Sequence, residues 1–180
     1  MTRELAALGL GLCLLLTVPA DRAGAVDLPI RKAGLWEIKL VNTGSALPAM
    51  TMQHCTDETV DKEMSNLASP MAKQICSRQD IAKTAAGYVS DSVCSVGGVS
   101  VSSHSDISGD FNSAYTVTTT SHSDLGSKGT PRDTVMKIEA KWLGACKPDQ
   151  KPGDVVMAGG FKLNVKDAAK LQNLLPGAKQ

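Results

Sequence analysis

The chain has 180 residues, a formal net charge of +1 and only 3% aromatic residues. Balanced charge removes the electrostatic footprint that nucleic acid or an anionic membrane surface would need. So few rings leave no stacking platform for bases or sugars, and nucleic acid is not an expected partner.

Residues 1–25 read as a cleavable secretory signal peptide. Arg3 supplies a positive start, an apolar run follows from Leu5 to Val18, and Pro19 breaks it. Ala23-Gly24-Ala25 then offers small residues where a signal peptidase cuts, so cleavage is expected after Ala25. The 14-residue run is short of the roughly 20 that cross a bilayer. Cys13 follows Leu12, where a lipoprotein signal needs a small residue, so no lipid anchor is expected. No later stretch is long or apolar enough to span a membrane.

Four cysteines remain beyond the signal: Cys55, Cys76, Cys94 and Cys146. An even count in an exported chain points to two disulfides, with three connectivities open. No C-x-x-C knuckle is present, which argues against structural zinc.

Leu35 to Val41 alternates, with Trp36, Ile38 and Leu40 on one face and Glu37 and Lys39 on the other, the pattern of a half-buried strand. An extended stretch from residue 50 to Cys55 leads into a helix capped by Thr56, with Asp57 and Glu58 at its positive end. Val60, Met64 and Leu67 repeat at helical spacing, and Ser69-Pro70 should close the segment. Cys76 to Lys83 and Tyr88 to Val96 flank Thr84-Ala85-Ala86-Gly87, a hairpin signal. Pairing about Ala85 places Ile81 opposite Val89 and Cys76 opposite Cys94. This favours Cys76–Cys94 and leaves Cys55 for Cys146.

Val99 to Asp106 and Phe111 to Ser121 form a second expected pair around Ser108-Gly109, rich in threonine, which suits extended backbone. Residues 124–131 form a loop. Thr134 to Leu143 then alternates, with Met136, Ile138, Ala140 and Trp142 inward. The expected fold is mainly β: an antiparallel meander or half-barrel sheet over residues 26–147, with one or two short helices and two disulfides. Residues 148–180 read as a tail with a short helix from Val165 to Leu175, capped by Asn164.

Three constellations bear on chemistry. Ser103-His104-Ser105-Asp106 recurs as Ser121-His122-Ser123-Asp124, which invites a hydrolase reading. Adjacent strand residues face opposite sides, however, so neighbouring Ser and His cannot act as nucleophile and base. Pairing about Ser108-Gly109 would also put His104 near Ser113 and His122 far along the sheet. No catalytic residue is expected, and the protein is read as a non-enzyme without a cofactor. Met50, Met52 and His54 alternate onto one face and offer soft or borderline donors for copper, although methionines beside a helix entrance more commonly pack inward. Lys162, Lys166, Lys170 and Lys179 read as a solvated surface.

Lys32-Ala33-Gly34-Leu35-Trp36-Glu37-Ile38, then Gln53-His54-Cys55-Thr56 entering a helix, then Cys76, Cys94 and Trp142-Leu143-Gly144-Ala145-Cys146 resemble a bacterial family of exported proteins, the domain-of-unknown-function family numbered 3617 (DUF3617). The resemblance covers residues 31 to about 147 and is most specific in Gly-Leu-Trp-Glu and Leu-Gly-x-Cys. It implies a periplasmic location in a Gram-negative cell and no particular activity.

Trp36, Ile38, Leu40, Met136, Ile138, Ala140 and Trp142 form an inward set without an ionisable group. A helix offering Val60, Met64 and Leu67 is small cover for such a sheet. The leading expectation is therefore a periplasmic protein that binds a small apolar ligand, or a cell-envelope partner. Its apolar pocket would lie near the two tryptophans, lined by Trp36, Trp142, Met136 and Ile138. The alternatives are copper handling through Met50, Met52 and His54, and an enzyme of unknown type.

Overall fold

A computed structural model describes residues 26, 28–43, 48–125, 129–130 and 132–167, with side chains of 65–72 and 96 excepted. The expected signal peptide, Leu67 as a packing residue and the expected helix beyond residue 167 lie outside the described residues. Nine strands and one long helix follow in order: β1 (Gly34–Thr43), β2 (Met50–Thr56), α1 (Glu58–Ile75), β3 (Cys76–Thr84), β4 (Gly87–Val96), β5 (Val99–Asp110), β6 (Ala114–Asp124), β7 (Arg132–Gly144), β8 (Asp154–Met157) and β9 (Lys162–Asn164). They form one open sheet in the order β3-β4-β5-β6-β7-β1-β2-β8-β9, antiparallel throughout. The mainly β meander read from the alternating pattern is this sheet.

Both expected disulfides are present, Cys55–Cys146 and Cys76–Cys94. The hairpin argument reached the second pair by a register one residue away from the real one. Ile81 pairs with Ser90 and Ala82 with Val89, around a two-residue turn at Ala85-Ala86. An irregularity between Cys76 and Arg78 absorbs the extra residue and brings Cys76 back opposite Cys94.

The β5–β6 turn also differs from expectation. Gly109 is a strand residue at φ 110°, where an added Cβ would stand 2.5 Å from the Ala114 carbonyl oxygen. The chain reverses instead at residues 111–113, because Asp110 accepts hydrogen bonds from the Asn112 backbone N–H (2.9 Å) and the Ser113 hydroxyl (3.0 Å). This moves the register, so Ser103 faces Ser121 and Ser102 faces His122. The histidines are diagonal neighbours rather than distant.

At the helix entrance, Asp57 rather than Thr56 is the cap: its carboxylate accepts the Val60 N–H at 2.7 Å. The helix also runs through Pro70 to Ile75 instead of stopping there. Its 18 residues cover about 27 Å at 1.5 Å per residue. That length suits a link between β2 and β3, which have five strands between them in the sheet. The segment read as a tail contains β8 and β9, which extend the sheet beyond β2. Asn164 accepts the Lys166 N–H at 3.0 Å, as its expected capping role requires.

Candidate functional site

Alternation sorts the sheet into two faces, and the inner one is arranged in rows across the strands. The bottom row reads Trp142, Trp36, His54, Val155 and Leu163 on β7, β1, β2, β8 and β9. Above it stand Tyr115, Ala140, Ile38, Met52 and Met157. The middle row is Tyr88, Ile107, Val117, Ile138, Leu40 and Met50. Ser90, Ser105, Thr119 and Met136 follow, and then Ser92, Ser103, Ser121 and Thr134. The face thus grades from aromatic through aliphatic to hydroxylic.

The bottom is sealed. Trp36 is 0% exposed, its ring centroid 5.7 Å from Tyr115, and Phe111 stacks on Tyr115 at 4.7 Å. Residues 28–33 cross this end as a strap. The Trp36 indole donates to the Lys32 carbonyl (2.8 Å), Trp142 donates to the Ala33 carbonyl (3.1 Å), and the Lys32 ammonium sits 3.7 Å over the Trp142 ring. Gly34 makes this crossing fit: at φ 132°, an added Cβ would stand 2.2 Å from the Gly144 carbonyl oxygen.

A buried ionic network lies against the seal. Arg31 grips Asp61 through Nε (3.0 Å) and Nη2 (2.5 Å), while the Arg31 backbone N–H donates to the same carboxylate at 2.8 Å. Thr56 donates its hydroxyl to Asp61 at 3.0 Å, which explains why it does not cap the helix. Burial works to raise the Asp61 carboxyl, but the Arg31 hydrogen bonds outweigh it and hold the group below the usual range. His54, 2% exposed, accepts from Arg31 Nη2 at 3.3 Å through Nδ1. Burial and the Arg31 cation push its pKa down to about 4, so it is neutral at physiological pH. The surroundings of Trp36 are therefore partly ionic, not the wholly apolar set expected. Arg31 and Asp61 carry no motif that spacing alone reveals; the nearest signal was an acid four residues into a helix beside a buried His.

The residues expected to line an apolar site separate into two groups. Trp36 belongs to the sealed core, and Trp142 lies at its rim under Lys32. Met136 and Ile138 belong to the half-buried stretch above, with Ile38, Leu40, Met52 and Val117. Val60 is fully buried, whereas Met64 is 38% exposed. Met50, Met52 and His54 do share the inner face, with Met50 46% exposed. His54 Nε2 is buried with no hydrogen-bond partner among the described residues.

Open clefts lie elsewhere among the described residues. One, of about 440 Å³, is walled by Asp149, Lys151, Asp154 and Lys162. Another, of about 450 Å³, lies on the outer face and contains both His104 and His122. No helix among the described residues is long and apolar enough to cross a membrane.

A family model described as a protein of unknown function (DUF3617) matches residues 31–146, the family that the motifs at both ends of this span resemble. The match begins at Arg31 of the buried network, ends at Cys146 of the disulfide, and excludes β8 and β9. No curated protein and no solved structure matches the chain.

Proposed function

The chain belongs to the DUF3617 family, and from that premise we propose that it is a non-enzymatic, exported periplasmic protein that binds a small apolar ligand on the inner face of its sheet. One observation carries the reading. Ile38, Leu40, Met52, Val117, Met136 and Ile138 stand on adjacent strands, face the same side and remain half-buried rather than closed over. Contiguous apolar surface that keeps solvent contact is the usual mark of a binding groove. The sealed end below it and the hydroxyl rows above it would bound an elongated guest, with its apolar part over Ile138 and a polar end near Ser105 and Thr119. Two disulfides support an oxidising compartment.

Titration with a fluorescent fatty acid tests this. Saturation near one equivalent is expected, and Ile138→Glu should weaken binding at least tenfold while the protein stays folded. Absence of saturation with any apolar probe overturns the reading and favours an envelope partner.

A second reading, copper handling, is supported by His54 Nε2, which has no hydrogen-bond partner among the described residues, and by Met157, which stands opposite Met52. Arg31 can only donate, so Nδ1 accepts and Nε2 carries the proton that a soft Cu⁺ ion would displace. One equivalent of Cu⁺ bound by the native protein and lost in Met52→Ala would establish it; no binding above a cysteine-blocked control removes it.

A further inference from the structure

The two Ser-His-Ser-Asp segments lie side by side and antiparallel, centred on Ser103 opposite Ser121, whose hydroxyls are 2.8 Å apart. This register creates a local two-fold that relates His104 to His122, both on the outer face. The symmetry extends one strand further on each side. Asp91 on β4 stands opposite His104, and Asp133 on β7 stands opposite His122. Each carboxylate meets the Nδ1 of its histidine, at 2.7 Å and 2.6 Å respectively.

These contacts set the tautomer. A carboxylate can only accept, so Nδ1 of each imidazole carries the proton and, in the neutral ring, Nε2 keeps its lone pair. Each Nδ1 is taken up by its flanking strand, so Nε2 is the ring atom through which each imidazole can hold an ion, and both rings line one open cleft. Carboxylate-oriented imidazole is the arrangement that metal-ligating histidines use. Diagonal cross-strand neighbours are about 7–8 Å apart, a span that two imidazoles can bridge to one ion at about 2.0–2.1 Å per bond.

We infer that His104 and His122 together bind one divalent transition-metal ion through Nε2, in the open cleft on the outer face, with Asp91 and Asp133 as positioning residues. Charge favours a cation over an anion. Asp91, Asp106 and Asp133 surround the pair, Asp106 lies 3.7 Å from His104 Nε2, and Arg78 in the cleft is already paired to Asp80. Among the described residues no group of three His, Cys, Asp or Glu side chains is gathered for a metal. The protein ligands are thus two imidazoles, and the remaining positions fall to water and the hydroxyls of Ser102 and Thr120. Such a site exchanges its ion readily, and imidazole donors select Cu²⁺ or Zn²⁺ over Mg²⁺ or Ca²⁺.

The chain has three histidines, which makes the test clean. Tag-free protein titrated calorimetrically with Cu²⁺, and separately with Zn²⁺, should bind one equivalent of each, Cu²⁺ more tightly. His104→Ala and His122→Ala should each lower affinity at least a hundredfold. Asp91→Asn with Asp133→Asn should lower it roughly 10–100-fold. Glu58→Gln, on the exposed helix surface, should change nothing. Electron paramagnetic resonance of the Cu²⁺ complex should show coupling to two imidazole nitrogens. Full binding retained by either outer-face histidine variant, two equivalents on independent histidines, a one-nitrogen spectrum or no saturation would each overturn the assignment. Both histidines are half-exposed, and unchanged circular dichroism of the variants identifies any loss of binding as loss of ligands.

Discussion

The two ends of the inner face solve opposite problems. The lower end buries charge: Arg31, Asp61 and His54 are taken out of water beside Trp36 and satisfied by one another, by Thr56 and by backbone. The upper end buries little, and its serines and threonines pair hydroxyl to hydroxyl in a surface that water reaches, as in Ser105 and Thr119 at 2.9 Å. Stability should therefore concentrate at the lower end, and changes above it should be tolerated. The half-buried aliphatic rows lie between a rigid floor and a permissive rim.

The largest expected difference separates the disulfides. Cys55–Cys146 closes 91 residues at the sealed end, and the chain-entropy model assigns it about 4.5 kcal/mol. Cys76–Cys94 closes only 18 residues at the far edge and is worth about 3 kcal/mol. Urea unfolding of the paired Cys→Ser variants should rank them in that order. An equal or reversed ranking would show that the sealed end is not the stabilising one.

Breaking the ion pair comes next. Asp61→Ala leaves the Arg31 guanidinium buried without its carboxylate and should cost about 3–4 kcal/mol. Arg31→Met with Asp61→Leu should recover much of that loss, because the penalty arises from the unpaired charge. Failure of the double variant to recover would mean that geometry, not charge, holds the strap.

Acid should also undo the lower end first. His54 has a folded pKa of about 4 against an ordinary 6.5, so between those values the unfolded chain binds the extra proton. Stability is full above pH 6.5 and is lost as pH falls through 4, by about 3 kcal/mol in all. Asp61, held low by Arg31, extends the loss further into acid. The His54→Gln variant should show a flatter pH–stability curve over this window. An unchanged slope would remove His54 from the account.

Alternating Trp36, Ile38 and Leu40 against Met136, Ile138 and Ala140 made the paired strands β1 and β7 legible, and the cysteine parity made the disulfides so. Both are patterns of period two, which a strand obeys locally. The errors arose where one side chain outside the pattern decides. Asp110 moved a turn by capturing two donors, and an irregularity beside Cys76 shifted a hairpin by one residue. Arg31, Asp61 and His54 meet only after the strap, β2 and α1 are assembled, so no local spacing announces them. β8 and β9 are four and three residues long, too short for alternation to register.

The smallest effect belongs to the rim. Ser105→Ala should cost about 1 kcal/mol or less in stability, the net worth of one hydrogen bond, and lower fatty-acid affinity a few-fold, because the guest's polar end lies near this hydroxyl. Unchanged affinity would move that end away from Ser105.

The central claim is that the aliphatic rows between floor and rim receive an apolar guest. Methyl-labelled Ile and Met resonances, followed by NMR during titration with a fatty acid, test it directly. Ile38, Ile138, Met52 and Met136 should shift together and saturate at one equivalent, while Ile75, at the end of α1 and away from these rows, stays in place. Shifts confined to Ile30, Ile75 and Met64, whose side chains are exposed, or shifts that never saturate, would contradict it.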